Sequence, residues 1–138
     1  MFFKSSKDKI DIKNLSMVAA LLIHAAKIDE NYSKDEEKII KKALLEIGAK
    51  NENLEKIIEI GKEIEEDSNQ ILDFTKKVKN MKEQDKFKIV DSLWRIIYSN
   101  KKADIYETSL MRRLAGLLYI DNKVMGDIKE RVKKESSY

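Results

Sequence analysis

Oxygen-bearing side chains crowd one short run, KIDENYSKDEEKII from Lys27 to Ile40, and four of them, Asp29, Asn31, Asp35 and Glu36, are the first candidates for ligands. Carboxylates and carboxamides are the donors that Ca²⁺ or Mg²⁺ selects, because hard cations take oxygen ligands. An EF-hand loop needs oxygens at positions 1, 3 and 5, Gly at 6 and a bidentate Glu at 12. Counted from Asp29, the first three places are Asp29, Asn31 and Ser33, but the sixth is Lys34 and the twelfth is Ile40. The motif is broken, which leaves a looser cation site made from Asp29, Asp35 and Glu36. The same residues have a second use. SKDE, Ser33 to Glu36, has the form of a capping box, in which the Ser33 hydroxyl accepts from the Glu36 amide and the Glu36 carboxylate from the Ser33 amide. DIYE, Asp104 to Glu107, offers the same geometry with Asp as the cap. The helix dipole also favours acids in a first turn. Caps explain these acids without a ligand and are the first reading; divalent-cation binding is the alternative.

Other chemistry lacks its partners. His24 is the only histidine, so neither a His-based metal cluster nor a Ser-His-Asp triad can be assembled. On a stripe with Leu21 and Ile28 it reads as a hydrogen-bonded core residue. The chain has no cysteine, which removes disulfides, thiolate metal sites and cysteine nucleophiles and suits a reducing cytoplasm. There is no glycine-rich phosphate loop and no Glu-x-x-His pair for a di-iron bundle. Trp94 and Tyr98, one helical step of four apart, suit either a binding platform or a core anchor, and the anchor is preferred. The net charge of +3, from 28 basic and 25 acidic residues, is too balanced for a nucleic-acid binder. The expectation is a protein with no catalytic residues, no required cofactor and no small-molecule substrate.

These residues must be positioned by helices. Charged residues make up 38% and hydrophobic ones 42% of the 138, with no proline and four glycines. That composition predicts an all-α chain of one domain. Ile12 to Ile28 is apolar nearly all round and belongs in the centre of a bundle. Lys34 to Ile47 is amphipathic, with Gly48 at a C-terminal cap position. Glu52 to Glu65 and Ser68 to Met81 follow, separated by a capping pattern at Asp67 to Gln70, although the sevenfold spacing of Ile57, Ile64, Ile71 and Val78 also allows one continuous helix. Lys82 to Tyr98 has a broad apolar face, Ile105 to Leu118 comes next, and a last helix from Asn122 packs by the narrow stripe of Val124, Ile128 and Val132. About seven helices result. Residues 1–11 are expected to form a flexible segment without the h-region of a secretory signal, and 134–138 a polar tail. No apolar run is long enough to span a bilayer, so a soluble protein is expected.

Charge is uneven. Glu52 to Asp67 holds seven acids and two lysines, and Lys76 to Lys88 six lysines and two acids. Such faces are solvated surfaces first and partner-docking surfaces second. Displacing the first half by 71 residues lays Leu22 on Leu93, Asp29 on Asn100, Ser33 on Asp104, Glu36 on Glu107, Ile40 on Met111 and Ile47 on Leu118. Each copy is a buried helix, a polar corner and an amphipathic helix. This predicts two related helix-corner-helix units with their apolar first helices at the centre.

IHAAKIDENYSKDEEKII resembles the signature of the TerB-like tellurite-resistance family, whose helices meet at an A-x-A-D-G-x-I-S-x-x-E corner. Ala26, Asp29, Ser33 and Glu36 fill matching places. SLWRIIYSNKKADIYETSLMRRLAGLL is similar to the family's second corner, and Glu107, Arg112 and Arg113 match. The resemblance spans roughly Leu15 to Leu118 and is nearest to small stand-alone bacterial members. Glu30 and Lys101 replace the corner glycines and Asn100 the second aspartate, which weakens a two-site cation model. The resemblance implies an all-helical fold, a bacterial source, stress response at the cytoplasmic face of the inner membrane, and no established reaction. The domain also precedes a J-domain in a membrane-anchored co-chaperone, whose His-Pro-Asp triplet is missing here. The function expected is a non-enzymatic module that binds a protein partner, itself membrane-associated; a homo-oligomer stays open.

Overall fold

The computed structural model describes residues 2–27, 34–67, 75–76, 78–99 and 105–136, with side chains for 12–27, 34–67, 75–76, 78–98 and 109–135. Among these residues the secondary structure is entirely helical: α1 Phe2–Ala26, α2 Lys34–Ile47, a 3₁₀ turn Asn51–Asn53, α3 Leu54–Asp67, α4 Glu83–Ser99, α5 Ile105–Leu117 and α6 Asn122–Ser136. Of the helix expected at Ser68 to Met81, residues 75–76 and 78–81 are described. Thr75, Lys76 and Val78 are helical, but the helix stops short of Met81, with Lys79 to Met81 in a turn closed by the Met81 amide on the Val78 carbonyl (3.0 Å). The break expected within Asp67 to Gln70 lies largely outside the described residues. The α1 helix begins well before Ile12, because the polar KSSKDKIDIK stretch holds no proline or glycine to stop it.

From Leu15 to Ala26 the α1 helix is apolar nearly all round, and the packing uses this. Val18, Ala19, Ala20, Leu21 and Leu22 have no exposed surface, and α1 contacts α2, α3 and α4. Its most extensive neighbour is α3, where the helices meet at small residues. A Cβ on Gly61 would lie 2.8 Å from Ala19 Cβ, 3.1 Å from the Ala20 nitrogen and 3.2 Å from the Ser16 oxygen. Glycine is therefore required for this approach. On the other side α4 packs on α1, α2 and α6. Its Ile89, Val90, Leu93, Ile96 and Ile97 are buried in the core, joined by Leu110, Met111 and Leu114 of α5. The narrow stripe expected on α6 is present: Ile128 and Val132 are buried with Met125, and Val124 is half-buried against them.

Two helix ends share one design. After α2, the Ala49 amide donates to the Leu44 carbonyl (2.9 Å) and the Gly48 amide to Leu45 (3.2 Å), with Gly48 at φ +121°. This is a Schellman cap, and it gives Gly48 the expected role. After α5, the Ile120 amide donates to Ala115 (2.9 Å) and the Tyr119 amide to Gly116 (3.3 Å), with Tyr119 at φ 57°. The second cap stands 71 residues after the first and holds a left-handed conformation with tyrosine. Lysines from α4 brace both ends. Lys86 Nζ, on a residue 7% exposed, donates to the Leu118 carbonyl (2.9 Å), and Lys88 Nζ to the Glu46 carbonyl (2.9 Å). Two members of the basic run are thus tied to helix ends, where a cation meets the negative pole of the dipole.

Candidate functional site

The sequence places its candidate chemistry at the corner between α1 and α2. Asp29 and Ser33 lie outside the described residues, as does Asp104 of the second corner. Glu107 is in α5, where the backbone alone is described. Asp35 is exposed in the first turn of α2, whereas Glu36 in the same turn has no exposed surface. A surface cap is thus not the whole account of Glu36: its carboxylate is inside the bundle, where the dipole of α2 offsets part of its desolvation. Among the described residues no three His, Asp or Glu side chains gather as a metal cage; Asp29, on which the cation reading depends, is not among them.

A second buried carboxylate lies at the same end of α1. Glu65 of α3, 7% exposed, receives a hydrogen bond from Lys27 Nζ (2.7 Å) on one oxygen, and His24 Nδ1 stands 3.3 Å from the other. Burial alone would raise the Glu65 pKa. The hydrogen bonds and charges of Lys27 and His24 outweigh it and hold the carboxyl below its ordinary range. His24 is half-buried and hydrogen-bonded, as expected, and its partner comes from the acidic helix.

A concavity of another kind lies elsewhere among the described residues. An open groove of about 610 Å³ is bounded by α2, α4 and α6. Ile39, Ala43, Phe87 and Tyr98 supply its apolar surface, and Lys42, Lys88, Arg95 and Arg131 its cations, beside Glu46 and Asp91. The heptad-like spacing of 88, 91, 95 and 98 puts these α4 residues on one face. Asp91 is the organiser, accepting from Arg95 on one oxygen and from Arg131 Nη2 (2.7 Å) on the other. Arg95 also donates to Glu135 of α6. Its pKa is raised by the hydrogen bond to Asp91, which outweighs burial, and Glu135 adds to the rise. Behind this wall Trp94, buried, stacks on Tyr98 with ring centroids 5.9 Å apart, and Lys129 Nζ sits 5.3 Å from the indole centroid. Trp94 is therefore the core anchor that was preferred, while Tyr98 reaches the groove. Burial, and then the charge of Glu130, raises the Tyr98 pKa.

The family profile described as "Tellurite resistance protein TerB" matches residues 15–130. The chain belongs to the TerB family. No curated protein and no solved structure matches it. The TerB match takes in α1 from Leu15, both corners, the whole of α4 and α5 and α6 as far as residue 130, so the α2 and α4 walls of the groove lie inside it and Arg131, the α6 residue of the groove, one position beyond. No described helix is long and apolar enough to cross a membrane. The sequence reading missed Glu65 as a partner for His24 and Asp91 as the organiser of two arginines. One signal for Asp91 was available, since an acid four residues before Arg95 on a helix is a favoured ion-pair spacing. Glu65 left a weaker one: it is the acid that shares its spacing with Ile58 and Gly61 on the buried face, apart from the outward acids.

Proposed function

We propose that this TerB chain is a non-enzymatic protein-interaction module of a bacterial stress response to tellurite and related oxyanions, working in the cytoplasm near the inner membrane. The groove between α2, α4 and α6 carries this reading. It joins an apolar lining to a charged rim fixed by Asp91, and it is open along its length, which suits a polypeptide better than a small ligand. Side chains placed by the core and by ion pairs form a pre-organised surface, which lowers the ordering cost of binding. The test is photo-crosslinking in the native cell from a photoreactive residue at position 46, in the groove, and from one at position 112, on α5. A discrete protein adduct from 46 and none from 112 supports the groove; adducts from 112 alone refute it.

A second reading, a divalent-cation module, uses Asp29, Asp35 and Glu36. The observation that favours it is the position of Glu36, which sets a carboxylate in the first turn of α2 next to that corner and out of solvent. Isothermal titration with Ca²⁺, Mg²⁺ and Zn²⁺ on the wild type and on Asp29→Asn decides it. Binding heat that vanishes in the variant supports the site, and no heat in either protein rejects it.

A further inference from the structure

Resting on the groove as the binding surface, we infer that one of its occupants is the acidic outer face of α3 from a second copy of this chain, in a weak head-to-tail contact. The exposed residues Glu55, Glu59, Glu63 and Glu66 follow one another at steps of four, four and three, which aligns them in a single stripe that stays net acidic although exposed Lys62 lies within it. The side of α3 that packs on α1 carries Leu54, Ile57, Ile58 and Gly61, so the stripe looks away from the core. Like charges at these steps repel along the helix, and Lys62, three residues after Glu59 and four before Glu66, offsets only part of that. A positive surface laid against them removes that penalty.

The groove offers such a surface. Lys42 comes from α2, Lys88 and Arg95 from α4, and Arg131 from α6, against Glu46 and Asp91, and Asp91 is already held between the two arginines. Register agrees as well. Lys88 and Arg95 are separated by two helical turns, about 10 Å, and so are Glu59 and Glu66. The stripe cannot fill its own molecule's groove. The core helix α1 contacts both α3 and α4, and the acidic stripe of α3 faces away from α1, so stripe and groove lie on different sides of the molecule. A contact between unlike surfaces is heterologous and repeats from copy to copy unless it closes into a ring. One helix face in one groove is smaller than a standard stable interface, so the association is transient and steeply dependent on salt.

Sedimentation velocity on the full chain tests this. At about 0.05 M salt the weight-average sedimentation coefficient should climb with concentration, and at about 0.5 M the protein should be monomeric, because screening shortens the reach of charge to a few ångströms. Lys42→Glu removes groove charge and Glu59→Lys/Glu63→Lys reverses the stripe; neither variant should self-associate. Each keeps one intact surface, so an equimolar mixture should form a dimer that grows no further. A wild type that stays monomeric at low salt overturns the inference, as does a mixture that stays monomeric. Circular dichroism of each variant shows that it is folded. The photo-crosslink from position 46, which leaves the groove cations in place, separates the two readings: an adduct with another protein and none with a second copy keeps the groove and rejects this occupant.

Discussion

Gly61→Ala tests the packing on which the whole bundle rests. In an ordinary helix interior alanine is better than glycine by about 1 kcal/mol, so the substitution should help. Here the new Cβ would stand 2.8 Å from Ala19 Cβ, when carbon atoms prefer about 3.5–4.0 Å. Its two other close neighbours, at 3.1 and 3.2 Å, are backbone atoms of α1, which cannot rotate away. The helices must separate, and overpacking of this kind costs about 1–3 kcal/mol. The net expectation is a loss of about 1 kcal/mol, reaching about 2 if the core does not adjust. For a chain of this size, each kcal/mol lowers the melting temperature by about 3–5 °C. Gly126→Ala in α6 is the control, since its Cβ would meet nothing within 4 Å, and it should gain about 0.5–1 kcal/mol. Ala19→Gly opens space opposite Gly61, so the double variant should recover at least about 0.5 kcal/mol in a thermodynamic cycle. Urea denaturation of the four variants measures all of this. If Gly61→Ala stabilises as much as Gly126→Ala does, the close approach of α1 and α3 is refuted.

The two Schellman caps respond in opposite directions: Gly48→Ala, at φ +121°, should lose about 1 kcal/mol, and Tyr119→Gly, at φ 57° and 73% exposed, should gain up to about 1, both read from denaturation midpoints at constant slope. Glu65 is held below its ordinary pKa of 4.5, so as pH falls the unfolded chain takes up that proton before the native state does. Its contribution is complete above pH 4.5 and fades as pH drops through the lower native value; Glu65→Gln should therefore cost about 1–3 kcal/mol at neutral pH and flatten the acid limb of a stability–pH curve. Lys86→Met keeps the apolar stem but leaves the Leu118 carbonyl without its donor, and should cost about 1–3 kcal/mol by calorimetry.

Much of the fold was legible because helix pattern and burial agree. The absence of a polar face on Ile12 to Ile28 required neighbours all round, and α1 has them. The spacing of Ile128 and Val132 located the packed stripe of α6 without knowledge of its partner. The candidate site was less legible, for a physical reason. Periodicity reports which side of a helix is apolar, but not which polar residue on another helix will face it. Glu36 and Asp35 are adjacent acids in one first turn; the steps from Glu36 to Ile40, Ala43 and Ile47 put Glu36 on the apolar face, but spacing alone does not tell what its carboxylate meets there. The groove is harder still, since its walls come from residues about 90 positions apart in the sequence, Ile39 to Arg131, and no local pattern joins them. The lysine run from 76 to 88 was legible as charge, but charge alone did not tell that Lys86 and Lys88 would reach helix ends.

The polar side of α4 links stability to the proposed binding surface. Lys86 and Lys88 hold the ends of α5 and α2, while Asp91 and Arg95 hold α6 through Arg131 and Glu135. The first two bonds close helix ends, and the Lys86 bond is shielded from solvent. The ties to α6 reach exposed side chains, and α6 adds only a narrow apolar stripe to the core. Exposed ion pairs are weak and are screened by salt, whereas buried apolar contacts are not. The α2–α4 side of the groove is therefore the firm wall and α6 the yielding one. A partner that engages Arg131 competes with Asp91 for the same guanidinium and so acts on the wall that costs least to move. Asp91→Asn should accordingly lift protection from amide exchange in α6 before α2 or α4; uniform loss across the three helices would mean that the ion pairs do not set the groove's width.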